Sequence, residues 1–116
     1  MPVPPPPSLD RVFQALADPT RRAIVERLTS DAAPVGELAK PLAMSLAAVM
    51  QHIQTLENSG VIATSKTGRV RTCRIEPRTL RAAEHWIAQR RDLWERRLDR
   101  LGDVLAEQPQ SEKENP

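Results

Sequence analysis

The segment Val35 to Gly60, VGELAKPLAMSLAAVMQHIQTLENSG, constrains the fold of this chain more than any other stretch. It has the pattern of a short helix, a tight turn, and a longer helix that stops at a glycine. Val49, Ile53 and Leu56 lie on one stripe of the longer helix, at the spacing of a core-facing side. Ser45 stands as its N-cap, and Gly60 stands where a left-handed residue closes a helix. The stretch that follows, VIATSKTGRVRTCRI, reads as two short strands, Val61 to Lys66 and Arg69 to Ile75, around a turn at Thr67-Gly68. A helix pair joined by a tight turn and followed by a basic hairpin is the pattern of a winged helix-turn-helix, whose second helix enters the DNA major groove. The expected fold is mainly α with a small β-hairpin.

Upstream, Ser8 caps a first helix carrying Leu9, Val12, Phe13 and Leu16 at helical spacing. Asp18-Pro19 starts a second helix, with Asp as cap and Pro at the first helical position, where its missing N–H costs nothing. Ile24, Val25 and Leu28 form its apolar stripe, and Ser30 to Pro34 is read as a loop. The third helix, Val35 to Lys40, points Leu38 and Leu42 inward and stops at Pro41. In the second strand Cys73 and Ile75 are the inward pair.

Glu76-Pro77 launches the longest helix, from Pro77 to Glu107, roughly 45 Å long. Along it Ile87, Trp94, Leu98, Leu101 and Leu105 recur at intervals of 7, 4, 3 and 4, widened on one flank by Trp86, Leu93 and Val104. Arg91, Glu95 and Asp99 lie opposite. A small winged helix cannot cover a stripe of this length, and exposed apolar patches mark interfaces. The expected outcome is a two-fold homodimer, with Trp86, Leu93, Trp94, Leu98, Leu101 and Leu105 at the interface and Phe13 and Leu16 of the first helix as companions. Packing of the stripe wholly within its own chain is the alternative.

The 116 residues suffice for one domain, residues 8–107, between a Pro-rich tail, 1–7, and a polar tail, 108–116, both expected to be disordered. A binding segment for a polyproline reader is a remote alternative for the first tail. Net charge is only +2, but its distribution is uneven. Lys66, Arg69, Arg71, Arg74, Arg78 and Arg81 face Glu76 alone, a local balance of +5 that leaves −3 for the remainder. Phosphate neutralisation requires such a concentration, although a merely solvated basic surface has the same composition. The single cysteine excludes an intramolecular disulfide. No apolar run reaches the roughly 20 residues of a membrane span, and the N-terminus lacks a secretory pattern. The default expectation is a cytoplasmic protein without membrane contact.

With Val49, Ile53 and Leu56 inward, the longer helix presents Ala47, Met50, Gln51 and Gln54 on its opposite face, with Ser45 and Leu46 at its N-terminus. That terminus carries the free N–H groups that attract phosphate. Gln51 is suited to base readout, because its amide can donate to N7 and accept from N6 of adenine. Ala47 permits close approach or touches a thymine methyl. Met50 packs on a methyl group or fills space. His52 either meets a phosphate or packs against the third helix. Lys66, Arg69 and Arg71 reach the DNA backbone or the adjacent minor groove, whereas Arg74 and Arg78 serve there or in ion pairs within the chain.

The stretches ALADPTRRAIVERL, VGELAKPLAMSLAAVMQHIQTLENSGVI, GRVRTCRIEP and HWIAQRRDLWERRLDRL together resemble the ArsR family of bacterial winged-helix repressors, over about residues 8–107. The resemblance implies a homodimer with the first and last helices at the interface, bound to an imperfect palindrome of double-stranded promoter or operator DNA, usually to repress. Met50 replaces a Ser that commonly contacts DNA in the family, and Cys73 replaces an aromatic residue. The family's metal sensors carry a Cys-x-Cys pair in the third-helix region, but Glu37-Leu38-Ala39-Lys40 holds no cysteine. Other members place paired His and carboxylates on the last helix, where this chain has His85 with Glu84, Asp92 and Glu95. No metal or other cofactor is expected, since soft metals need several converging Cys or His ligands. Pairing of two His85 or two Cys73 across a dimer is the remaining route, and the effector is unknown.

An enzyme is not expected, because neither a Gly-rich phosphate loop nor a nucleophile with a recognisable base is present. Cys73 as a redox switch would need Arg71 and Arg74 to lower its thiol pKa; its inward strand phase argues against that. A protein–protein adaptor built on a winged helix is the other class. Leu46 and Met50 lean towards it, and Arg69 and Arg71 lean away.

Overall fold

The computed structural model describes residues 7–107; both expected tails lie outside them, apart from Pro7. The elements are α1 (Leu9–Leu16), α2 (Pro19–Leu28), β1 (Ala33–Pro34), α3 (Val35–Ala39), α4 (Leu46–Asn58), β2 (Ile62–Thr67), β3 (Val70–Ile75) and α5 (Pro77–Ala106). The chain divides into two compact units, Met1–Ala83 and Glu84–Pro116. The first is a winged helix-turn-helix with a three-stranded antiparallel sheet.

Local sequence accounts for the helix boundaries. Ser8 Oγ accepts the Arg11 N–H at 3.4 Å, Asp18 Oδ2 accepts that of Arg21 at 2.9 Å, and Ser45 Oγ accepts that of Ala48 at 3.1 Å. Each satisfies a donor that the first helical turn leaves without a backbone partner. At the other end of α4, Gly60 adopts a φ of +83°. Its N–H bonds to the Glu57 carbonyl at 2.9 Å, and that of Val61 to the Leu56 carbonyl at 3.1 Å. These two bonds make a Schellman cap. A Cβ at Gly60 would also come within 3.2 Å of Thr79 Oγ1, so only glycine fits without displacement.

Arginines of α2 close α1. Arg21 donates from Nε to the Ala15 carbonyl at 2.7 Å and from Nη2 to that of Gln14 at 3.1 Å, and Arg22 Nη1 donates to that of Leu16 at 2.9 Å. Three terminal carbonyls thus find guanidinium donors, and the angle between the two helices is held by hydrogen bonds as well as by packing.

The core is aliphatic, as the composition requires. Val12, Ile24, Leu28, Leu38, Val49, Ile53, Leu56, Val61 and Ile62 are buried together with Cys73. All three residues of the α4 stripe are included. Burial of each such side chain contributes about 1.5–3 kcal/mol relative to exposure.

The sheet departs from the expected hairpin in two ways. First, Ala33–Pro34, read as loop, forms β1 against β3, with Ala33 opposite Cys73 and Pro34 opposite Thr72, so β3 is the central strand. A two-residue strand has no periodicity to announce it, and its proline suits only an edge. Second, Thr67 pairs with Val70, so the turn is Gly68-Arg69 and not Thr67-Gly68. Gly68 has φ +62°, and no non-glycine among the described residues has a positive φ. Glycine at the first central position marks the tight turn whose twist matches the flanking strands. Arg69 therefore sits at the wing tip instead of in a strand.

The described part of the second unit is the continuation of α5. From Glu84 to Glu107 none of its residues is buried. Trp86, Leu93, Trp94, Leu98, Leu101 and Leu105 are all exposed, Trp94 most at 59%. The Arg90 guanidinium lies 4.6 Å from the centre of the Trp86 ring, a cation–π distance. On the charged side Arg91 meets Asp92 at 3.5 Å and Glu95 at 3.9 Å.

Candidate nucleic-acid interface

The exposed face of α4 and the wing lie in the same unit and converge on one groove. Its apolar part includes Leu46 and Met50 of α4 with Val70 of β3; its cationic part is Lys66, Arg69 and Arg71. Five of the ten residues expected at DNA therefore share one surface depression. Ala47, Gln51 and Gln54 are exposed on α4 outside that lining. His52 is the one directed elsewhere.

The polar residues of α4 are not equally available. Gln54 Nε2 donates to Asn58 Oδ1 at 3.1 Å, one turn further on. The Gln51 side chain makes no hydrogen bond among the described residues; Thr55 Oγ1 donates to its backbone carbonyl at 3.1 Å. Its amide thus keeps both donor and acceptor for a base edge. Ser45 spends its oxygen as acceptor in the N-cap, which leaves its O–H as a donor beside the positive end of the helix dipole.

Within the wing, Lys66 and Arg71 stand opposite each other across β2 and β3. Lys66 and Arg69 are exposed, and neither has an ion pair among the described residues. Arg71 is partly buried and donates from Nη1 to Thr64 Oγ1 at 2.9 Å. Thr64 Oγ1 in turn donates a hydrogen bond to Glu57 Oε2 of α4. The chain Arg71–Thr64–Glu57 couples wing to recognition helix. Nothing in the spacing of Thr64 or Glu57 announced it, because its members become neighbours only when β2 folds back beside α4.

His52 turns towards α2 rather than α3, which corrects the packing alternative. Its Nδ1 lies 3.3 Å from Arg21 Nη1 and 3.9 Å from Asp18 Oδ2. The Arg21 backbone N–H is the main reason that the Asp18 carboxyl is held below its ordinary pKa of 3.8; partial desolvation opposes this, and the Arg21 and His52 side chains reinforce it. Arg21 itself drew no role from its position in the sequence. It bonds to α1, its own helix cap and α4 at once.

Cys73 is fully buried at the centre of the sheet. Burial pushes its thiol above the ordinary value of 9.0, Glu57 adds to the rise, and Arg71 counters it only in part. The cationic neighbour invoked for a reactive thiolate is present, but desolvation outweighs it. Among the described residues no three His, Cys, Asp or Glu side chains gather to hold a metal ion.

The expected dimer residues occupy separate positions. In the first unit Phe13 is exposed, and Leu16 is partly covered by its own core. The others lie on the apolar side of α5 in the second unit.

Comparison with known proteins agrees with this architecture. A family model described as a helix-turn-helix domain matches residues 16–64. An HTH-type transcriptional regulator of Mycobacterium tuberculosis, Rv2034, is 45% identical over 75 residues, covering 65% of this chain and 70% of that protein. The crystal structure of an ArsR family transcriptional regulator, RHA00566, is 55% identical, covers 75% of this chain and 96% of that one, and superposes with a TM-score of 0.72. A homodimeric winged helix-turn-helix DNA-binding domain from Mycobacterium bovis shares the fold at 22% identity, covering 79% of this chain and 82% of that one, with a TM-score of 0.57. These likenesses set aside the adaptor and enzyme classes: the chain belongs to the ArsR family of helix-turn-helix DNA-binding transcriptional regulators.

Proposed function

We propose that the chain is a repressor that binds an imperfect palindrome in promoter DNA as a homodimer. Each protomer lays α4 in one major groove, with half-sites about 34–36 Å apart. Gln51 reads an adenine, and Ala47 and Met50 meet the methyl groups and edges beside it. Ser45, Leu46 and the N-terminus of α4 approach the backbone. Lys66, Arg69 and Arg71 hold phosphates or the adjacent minor groove, Gln54 borders the contact, and His52 lies behind it against α2. Occupancy of a promoter excludes the transcription machinery from it, and this is the mode of repression. Such a protein works in the cytoplasm, where the promoter is; among the described residues no helix is long and apolar enough to cross a membrane.

The observation that carries this reading is the Gln51 amide, without a side-chain hydrogen bond among the described residues, on an exposed helix face in the same unit as a wing whose Lys66 and Arg69 have no ion pair among those residues. The dimer rests on the apolar side of α5, where Trp94, Leu98, Leu101 and Leu105 are each about half exposed or more. Trp is enriched where interfaces concentrate their energy. The Mycobacterium bovis domain of the same fold is homodimeric.

The test is fluorescence anisotropy on the DNA upstream of the chain's own gene, against scrambled DNA, over a salt series, with sedimentation for the oligomeric state. The expected result is a dimer that prefers the promoter by roughly a thousandfold or more. Equal, steeply salt-dependent binding to both DNAs would reduce the interaction to electrostatics. A monomer at micromolar concentration would overturn the palindrome model.

A further inference from the structure

The groove between α4 and the wing is not shaped for DNA alone. It is an open depression of about 520 Å³, within the range of small-molecule sites. Val35, Leu46, Met50 and Val70 contribute apolar side chains to it, and its charged members are all cations, with no Asp or Glu among them. Leu46 and Val70 leave 59% and 51% of their surface open to solvent. Methyl and methylene groups give a phosphodiester nothing to bond to, whereas Lys66 and Arg69, without ion pairs among the described residues, give an uncharged apolar molecule no reason to be preferred. One ligand chemistry matches both halves: a small molecule with an apolar body and a single acidic head.

We propose that this groove is a binding site for an amphipathic organic anion. The body lies against Leu46, Met50 and Val70, and the carboxylate or equivalent head takes Lys66 and Arg69. Both cations belong to the surface assigned above to DNA phosphates, so this inference rests on that reading for its consequence. An anion in the groove neutralises the wing and stands in the path of the backbone. Ligand and DNA therefore compete, and the chain acquires a route of release that needs neither a metal nor a thiol.

The experiment uses the full chain with methyl-labelled methionines and two probes, 1-naphthoate and decanoate, the flat and the flexible form of the same chemistry. Met50 lines the groove and Met44 does not, so Met44 serves as internal reference. Met50→Leu and Met44→Leu assign the two signals used among the three methionine methyls of the chain. The expected result is a saturable shift of the Met50 signal with at least one probe. It should weaken at least about tenfold in the double variant Lys66→Gln, Arg69→Gln, and similarly when naphthoate is replaced by its uncharged carboxamide. Both substitutions are on exposed positions and leave the core untouched. With probe at ten times its own Kd, the apparent Kd for promoter DNA should rise about tenfold. No Met50 shift at millimolar concentrations of either probe, or equal binding of the carboxamide, overturns the site while leaving DNA binding intact. A Met50 shift in a protein that binds no promoter DNA upholds the site and overturns the DNA reading. A Met50 shift with unchanged DNA affinity overturns the competition.

Discussion

Arg71 of the wing donates to Thr64 Oγ1 at 2.9 Å, and through that hydroxyl the wing is tied to Glu57 of α4. The two parts expected to touch DNA are thereby held in one geometry. Preorganisation of this kind reduces the ordering cost of binding. Thr64→Val keeps the shape and removes the relay. The expected loss of stability is about 1–2 kcal/mol, seen as a lower urea midpoint. DNA affinity measured well below that midpoint should fall as well. An unchanged affinity would mean that the wing aligns without the relay.

Arg21 closes α1 through two backbone carbonyls and meets His52 of α4 at 3.3 Å. Arg21→Ala leaves those carbonyls to solvent and should lower stability by about 2 kcal/mol. Arg21→Lys should recover little of it, because a single ammonium cannot span the separated acceptors as a guanidinium does. Thermal unfolding of the three proteins decides this; full rescue by lysine would show that charge alone matters.

The low pKa of Asp18 makes part of the stability pH-dependent. A carboxylate that binds its proton less readily folded than unfolded contributes fully above its unfolded pKa, near 3.9, and that contribution drains away as pH falls through the folded value. Asp18→Asn retains a cap but cannot titrate. The wild type should therefore lose more stability than Asp18→Asn between pH 7 and pH 3, measured as the shift in urea midpoint. Parallel pH profiles would contradict the assignment.

Cys73 is expected to be inert in the native protein. Its burial and raised pKa leave little thiolate at neutral pH. Reaction with a disulfide reagent should be many-fold slower in buffer than in denaturant, where it should be immediate. Rapid reaction in buffer would restore the redox-switch reading.

Gln51→Ala should cost about 1–3 kcal/mol of discrimination between the promoter and a site with the contacted adenine replaced, with little change in non-specific affinity or in the urea midpoint. Gln54→Ala should cost less, since its amide is already shared with Asn58. Competition anisotropy on paired DNA duplexes measures both. A uniform loss on all sequences would move Gln51 from base readout to backbone contact.

The helices, their caps and the closing glycine were legible from residue order because their causes are local. Ser8, Asp18 and Ser45 each cap a backbone N–H three residues on. Val49, Ile53 and Leu56 share a face by helical periodicity, and so does the open apolar side of α5. The basic wing was equally visible, since its charges are adjacent in the chain. Folding in three dimensions settled what depends on distant partners. Ala33–Pro34 became a strand because β3 offered it an edge. The turn moved to Gly68-Arg69 because strand register is set by pairing as well as by alternation. His52 found Arg21, 31 positions away, and Thr64 found Glu57 and Arg71, each 7 away along a chain that reverses between them. A hydrogen bond between residues brought together by chain reversal leaves no periodic trace in sequence; its geometry exists only once helices and sheet have packed.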